Sequence, residues 1–233
     1  MRGIFIAGTD TGAGKTVVTG CLARYLAESG YSVITQKWIQ TGCGSGIPED
    51  IQTHLNIMGR DIKRIEKYFP YVAPYKFKEA SSPHLAAQLE NKIIDAHKIV
   101  RSFKALSCIF DFVLAEGIGG LLVPFSRRHL VIDIAKELDL PVLLVVNNKL
   151  GAINHALLTI EALKSRKMKL LGLVFNNPGK ENRRILEDNP RIIGELKGGM
   201  IFGTLPREKT YRKLYEKFVP VGAKITKRML AHG

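Results

Sequence analysis

The chain has 233 residues, 45% hydrophobic and 24% charged, with a formal net charge of +14. That composition belongs to a globular protein long enough to bury about 70–75% of its unfolded surface without a covalent staple. No stretch approaches the roughly 18 apolar residues of a spanning helix, and Cys21, Cys43 and Cys108 show no paired spacing, which argues against a disulfide framework or a zinc site. The first apolar run stops at Gly8, too early for a secretory leader, so a cytoplasmic location is expected.

Ile4 to Ala7 reads as a first buried strand, followed by Gly8-Thr9-Asp10-Thr11-Gly12-Ala13-Gly14-Lys15-Thr16. Val17, Val18, Cys21, Leu22, Tyr25 and Leu26 then recur at helical spacing. Strand, glycine-rich turn and helix are the setting of a phosphate-binding loop, in which backbone N–H groups and the helix N-terminus converge on an anion. Lys15 can reach the terminal phosphates and the Thr16 hydroxyl can ligate Mg²⁺. Five residues separate Gly8 from Gly14 where the usual motif has four, so Thr9 holds the first-glycine position.

Tyr31 to Thr35 reads as a second strand that delivers Lys37 to the strand ends where open parallel sheets bind ligands. Lys37 is there a second cation beside the phosphate loop, or a solvated strand-end lysine. Asp50 falls in the first turn of a helix opened by Pro48, where a carboxylate either favours the helix terminus or holds a metal. Residues 59–80 lack periodicity and read as a surface excursion. Ser82-Pro83 reads as a helix start, and a further amphipathic helix is expected from Asp95 to Leu106.

Cys108 to Ala115 reads as a central strand closed by Glu116-Gly117-Ile118-Gly119-Gly120. A carboxylate ending such a strand suits a Mg²⁺-facing position, or a structural one, and the glycines let backbone approach a nucleotide. Leu130 to Leu138 is expected to be helical, Pro141 to Val146 and Lys169 to Phe175 to be strands, and Gly151 to open another helix. Asn176 and Asn177 can read a nucleobase edge, although Asn-Asn-Pro-Gly is equally good turn chemistry. Met200 to Pro206 is the last strand and its exit loop. Alternating strands and helices without linker or repeat predict one α/β domain over residues 1–233, a mostly parallel sheet with helices on both faces.

Charge is uneven: from Lys164 onward there are 17 Lys and Arg against 6 Asp and Glu. Such an excess serves nucleic acid or an acidic membrane surface, or is a solvated face that attracts anionic substrates. Its interleaving with Leu205, Tyr211, Leu214, Tyr215, Phe218 and Val219 favours the solvated face, so neither a membrane nor a nucleic-acid partner is expected.

Taken together, Gly8-Thr9-Asp10-Thr11 with Gly14-Lys15-Thr16, Lys37 with Thr41-Gly42, Ser82 to Ala87, Glu116-Gly117 with Gly119 to Pro124, Leu150-Gly151 with Ile153-Asn154-His155, Asn176, and Gly203 with Pro206 resemble the dethiobiotin synthetase family of phosphate-loop enzymes, in family order over roughly residues 3 to 208. The resemblance accounts for the longer loop spacing. It implies ATP-dependent carboxylation of 7,8-diaminononanoate by CO₂ and closure of a cyclic urea in biotin formation, with Mg²⁺ and a homodimer. By position it implies that Gly12, Ala13, Gly14, Lys15, Thr16 and Val17 hold the phosphates, with Gly117, Ile118 and Gly119 beside them. Thr16, Asp50 and Glu116 would hold Mg²⁺, and Lys37 with Lys15 would be catalytic. Thr11 and Thr41 would contact the diamine, and Gly151 and Asn154 of a second copy would lie near its carboxylate. Asn176, Asn177, Pro206, Arg207 and Glu208 would hold the adenine end. The chain departs from the family at Trp38, where proline is usual, and at Ala13, where valine is common; the position of Asp50 follows a gap of variable length, and the resemblance does not account for the basic segment from about residue 209. A DNA-partitioning-type phosphate-loop ATPase is the competing expectation, although its additional loop lysine is replaced here by Thr9, Asp10 and Thr11.

Overall fold

The computed structural model describes residues 2–177, 179–198 and 200–231. The chain runs β1 (Arg2–Gly8), α1 (Lys15–Glu28), β2 (Val33–Lys37), β3 (Ile39–Gln40), α2 (Glu49–Met58), α3 (Phe69–Val72), β4 (Tyr75–Lys76), α4 (Pro83–Leu89) and α5 (Ala96–Ser107). It continues through β5 (Phe112–Glu116), α6 (Val131–Glu137), β6 (Val142–Asn147), α7 (Ala152–Ser165), β7 (Leu170–Asn176), α8 (Arg183–Lys197), β8 (Ile201–Leu205) and α9 (Tyr211–Leu230).

Six strands form one sheet in the order β2-β5-β1-β6-β7-β8, every pairing parallel. Parallel strands need crossovers, and the helices that make them cover both faces. The period-2 alternation of a strand shows which face is which. Ile4 and Ile6 of β1 pack with Val18, Leu22, Leu26 of α1 and Phe218, Ile225 of α9. Phe5 and Ala7 turn the other way, toward Ile99 and Phe103 of α5 and Ile132 of α6.

The fold class is the one expected from the sequence, and the differences are local. β2 runs two residues further than expected, so Lys37 lies within the strand. β5 starts at Phe112, because α5 continues to Ser107 and Cys108 is its C-cap. The 59–80 stretch is not a surface excursion. Val72 and Phe77 are fully buried in the core, and β4 pairs with β3 in a small second sheet beside the end of β2. Its buried residues, Ile65, Val72, Ala73, Pro74 and Phe77, follow no regular spacing and leave no pattern to read. Of the Asn-Asn-Pro-Gly turn, Pro178 lies outside the described residues.

The basic C-terminal stretch folds as α9, with Leu214, Tyr215, Phe218, Val221, Ile225 and Met229 buried. It lies across α1 and the outer strands, and the lysines and arginines between those residues point outward.

Candidate active site

The site forms where β1, β2 and β5 end side by side. In the β2–β5 register Lys37 stands opposite Glu116, and on the other flank Glu116 stands opposite Ile6 of β1, two residues before the loop. Gly12 and Gly14 adopt left-handed backbone (φ 74° and 95°), which a side chain would strain. Gly14 caps α1 and a Cβ on it would strike Asn176, 2.3 Å from Nδ2. Asn176 in turn donates from Nδ2 to the Ala13 carbonyl (3.2 Å), fastening the loop to the end of β7.

Lys15 is buried, its Nζ donating to Asp10 O (3.1 Å) and Gly119 O (2.7 Å). Burial, then the neighbouring Lys37 charge, lowers its pKa to about 8. Gly8 leaves the space through which this side chain passes.

Lys37 is 3% exposed and Glu116 1%, so neither charge is solvated. Their pairing compensates: Lys37 Nζ lies 2.8 Å from Glu116 Oε1 and 2.7 Å from Asp50 Oδ2, and donates to Gly117 O at 2.8 Å. Burial pushes the Lys37 pKa down, but the Glu116 and Asp50 carboxylates outweigh it and the net shift is upward. Burial would likewise raise Glu116, yet Lys37 and His54 hold it well below the ordinary carboxylate range. Both groups are charged at neutral pH.

The Thr16 hydroxyl lies 3.0 Å from Asp50 Oδ1 and 3.0 Å from Glu116 Oε1. Three hard oxygens thus meet beside the phosphate loop, and the Lys37 ammonium against two of these side chains shows that the place attracts positive charge. Among the described residues no group of three or more His, Cys, Asp or Glu forms a metal cage. A set of one hydroxyl and two carboxylates fits Mg²⁺, which completes its shell with water and phosphate oxygens.

At the far end of the loop a cavity of about 640 Å³ is lined by Gly14, Val17, Asn176, Asn177, Pro206, Arg207 and Glu208, with Tyr211 and Leu214 of α9. Asn177 Oδ1 accepts from Asn148 Nδ2 (2.8 Å), so its acceptor is already engaged. α9 therefore supplies a wall of this cavity, a contribution the sequence reading missed. Thr11 is exposed at the tip of the loop, and Thr41 follows β3 in a segment pinned by Gly42 N to Glu79 O (2.9 Å) and Cys43 N to Phe77 O (2.8 Å). Gly151 caps α7 with φ 87° and Asn154 is exposed in its first turns; their hydrogen bonds do not reach the Lys37–Glu116 cluster.

His54 was also missed. It is fully buried, with Nε2 2.7 Å from Glu116 Oε2. Its signal was its place four residues after Asp50, on the same face of α2. Trp38, the departure beside Lys37, stacks on Phe5 (centroids 4.8 Å apart) and donates from Nε1 to Gln36 Oε1 (2.8 Å). Its bulk is taken up by the core, and Lys37 stays on the rim.

A family model described as an AAA domain matches residues 2–213. Among curated relatives, the ATP-dependent dethiobiotin synthetase BioD of Chlorobaculum tepidum is 41% identical over 208 residues, 88% of this chain and 86% of the relative. The ATP-dependent dethiobiotin synthetase BioD 2 of Haemophilus influenzae is 43% identical over 173 residues, 74% of this chain and 90% of the relative. Among solved structures, the MinD cell division protein of Aquifex aeolicus superposes with a TM-score of 0.59 at 16% identity, covering 100% of this chain and 98% of that one, a likeness of fold alone. On the strength of those relatives, which match it along most of its length, the chain belongs to the ATP-dependent dethiobiotin synthetase family.

Proposed function

We propose that this protein uses ATP and CO₂ to convert 7,8-diaminononanoate to dethiobiotin, releasing ADP and phosphate. The observation that carries the reading is the meeting of Lys15, Lys37, Thr16, Asp50 and Glu116 at one rim of the sheet, in a chain whose curated relatives carry that enzyme's name.

Transfer of a phosphoryl group to a carbamate brings an anionic acceptor against an anionic donor. One amine of the diamine takes up CO₂ and loses a proton to become the carbamate. A carbamate oxygen attacks the γ-phosphorus of ATP, and the bond to the bridging oxygen breaks with release of ADP. The second amine then attacks the carbonyl carbon of the mixed anhydride, phosphate departs with the C–O electrons, and the nitrogen gives up its proton as the urea closes.

Positive charge fixed in place before the reaction lowers such a barrier most, about 10²–10³ in rate for each donor removed. Lys15 is sited for the β- and γ-phosphates along with the loop N–H groups of Gly12 to Val17, and Lys37 for the oxygens passing between donor and acceptor. Gly117, Ile118 and Gly119 border the phosphates, Gly119 already touching Lys15. Thr16, Asp50 and Glu116 would hold Mg²⁺, whose charge offsets that of the phosphates. Asn176, Asn177, Pro206, Arg207 and Glu208 line the cavity that suits the adenine end. Thr11 and Thr41 serve the diamine. The protein acts as a homodimer, with Gly151 and Asn154 of the second copy receiving the substrate carboxylate. Its partners are small molecules in the cytoplasm rather than nucleic acid.

The test incubates purified protein with the diamine, bicarbonate and Mg-ATP and follows the cyclic urea by mass spectrometry. One ADP per urea is expected. ATP turnover that is stimulated by DNA and yields no urea would overturn the reading in favour of a partitioning-type ATPase.

A further inference from the structure

We propose that His54 is a positioning residue for the metal site: it holds one oxygen of Glu116 and leaves the other for the cation. The inference rests on the reading of Thr16, Asp50 and Glu116 as the Mg²⁺ ligands and adds a residue to it.

The two carboxylate oxygens of Glu116 have different partners. Oε1 faces Thr16 Oγ1 (3.0 Å) and Lys37 Nζ (2.8 Å), the side on which the hydroxyl and Asp50 stand. Oε2 points away and meets His54 Nε2 at 2.7 Å. An ionised carboxylate only accepts, so the Nε2 nitrogen carries the proton and donates. A buried Oε2 without this donor would be free to rotate toward the cation, and Glu116 would lose its fixed orientation.

His54 is fully buried, and among the described residues its Nδ1 has no hydrogen-bond partner. A histidine there purely for packing would be a poor choice, because an apolar side chain would strand no polar atom. The cost is accepted where the other nitrogen does something specific, and here it holds Glu116.

The backbone supports the same role. Asp50 and His54 are one turn apart on α2, so a single helix brings one carboxylate to the cation and the holder of the other. α2 comes close enough because α1 carries Gly20 at the crossing, where a Cβ would lie 3.3 Å from His54 Cα and 2.8 Å from Ile57 Cδ1.

The test compares His54→Leu with His54→Gln, whose amide can still donate to Glu116. Two quantities are read: ADP binding in EDTA by calorimetry, and the free Mg²⁺ that half-saturates the protein–ADP complex, followed by thermal shift. Outer donors of this kind are worth about 10–100-fold in metal affinity. His54→Leu is expected to bind metal-free ADP as the wild type does but to need at least about tenfold more Mg²⁺, with His54→Gln restoring most of the loss. Unchanged Mg²⁺ demand in His54→Leu overturns the proposal, as does equal weakening of ADP binding in EDTA by both variants, the mark of a merely structural residue. Should His54→Leu fail to fold, ¹⁵N spectra of the wild-type histidines decide. A proton on Nε2 of His54, with a resonance that moves on adding Mg²⁺ to the ADP complex, supports it; an Nδ1 proton or an unmoved resonance overturns it. Glu116→Gln separates the two levels: if that change leaves Mg²⁺ affinity intact, the metal-site reading itself is wrong.

Discussion

Lys37, Glu116 and Asp50 are held by one another, so removing any one exposes the rest. Breaking a buried pair from one side costs about 3–5 kcal/mol, because an uncompensated charge remains. Lys37→Ala is therefore expected to lower turnover at least about a hundredfold and also to reduce stability in EDTA, with Mg²⁺ restoring part of it by supplying the missing charge. Glu116→Gln should cut turnover similarly and lose that rescue. Steady-state kinetics and melting with and without metal check both; wild-type rates in either variant would show that the chemistry lies elsewhere. A second residue-level expectation concerns Cys21, which is fully buried in α1 and whose thiol burial raises to about 12, Arg24 opposing weakly. The unfolded thiol ionises near 8.5. Between those values the folded chain keeps a proton that the unfolded chain has lost, so stability falls as pH rises through that window. At pH 10 the loss from this group is about 2 kcal/mol, and urea denaturation at pH 7 and 10 should show a smaller drop in Cys21→Ala than in the wild type. At this scale Lys15 and Thr16 were legible because they end a glycine-rich turn between an apolar strand and a helix, and Lys37 and Glu116 because each is a charged residue at the end of an apolar strand. His54 was not, because a ring within an amphipathic helix reads as core.

Among the elements, the phosphate loop with α1 announces itself by local pattern, and α9 does not. Leu214, Phe218, Val221, Ile225 and Met229 do follow helical spacing, but Pro220 sits in their midst. An interior proline removes a hydrogen bond and costs about 3 kcal/mol, so the sequence contradicts itself there. Packing against α1, β7 and β8 settles the matter, since helical stability in proteins comes mainly from the buried face. Phe218 is fully buried in that contact, and Phe218→Ala should cost about 3–5 kcal/mol in chemical denaturation. Because Tyr211 and Leu214 of the same helix wall the cavity beside Asn176 and Pro206, the variant should also weaken ATP binding while leaving the Mg²⁺ requirement unchanged. Loss of stability without any change in nucleotide affinity would dissociate α9 from the site. The 59–80 stretch was hidden for another reason: the small β3–β4 sheet joins segments far apart in sequence, and two-residue strands carry no alternation to detect.

Over the whole molecule, net charge of +14 surrounds a site at which the strongly anionic ATP is proposed to bind. A positive field of this kind raises encounter rates with anions and is screened by salt. Going from about 0.1 to 1 M ionic strength shortens the screening length from about 10 to 3 Å. The association rate for ATP, measured by stopped flow, should fall several-fold over that range with little change in melting temperature; a flat response would mean that the basic surface has no part in substrate capture. The sheet order has another effect, felt while the chain is being made. Among the described residues β1 pairs with β5 and β6 alone, and β2 with β5 alone, so neither apolar strand has a neighbour until residue 112 is available. At roughly 5–20 residues per second of synthesis, the segment between waits on the order of 5–20 s on the ribosome. During that interval Ile4 to Ala7 and Val33 to Thr35 are apolar strands without their sheet neighbours, the kind of segment prone to associate with other chains.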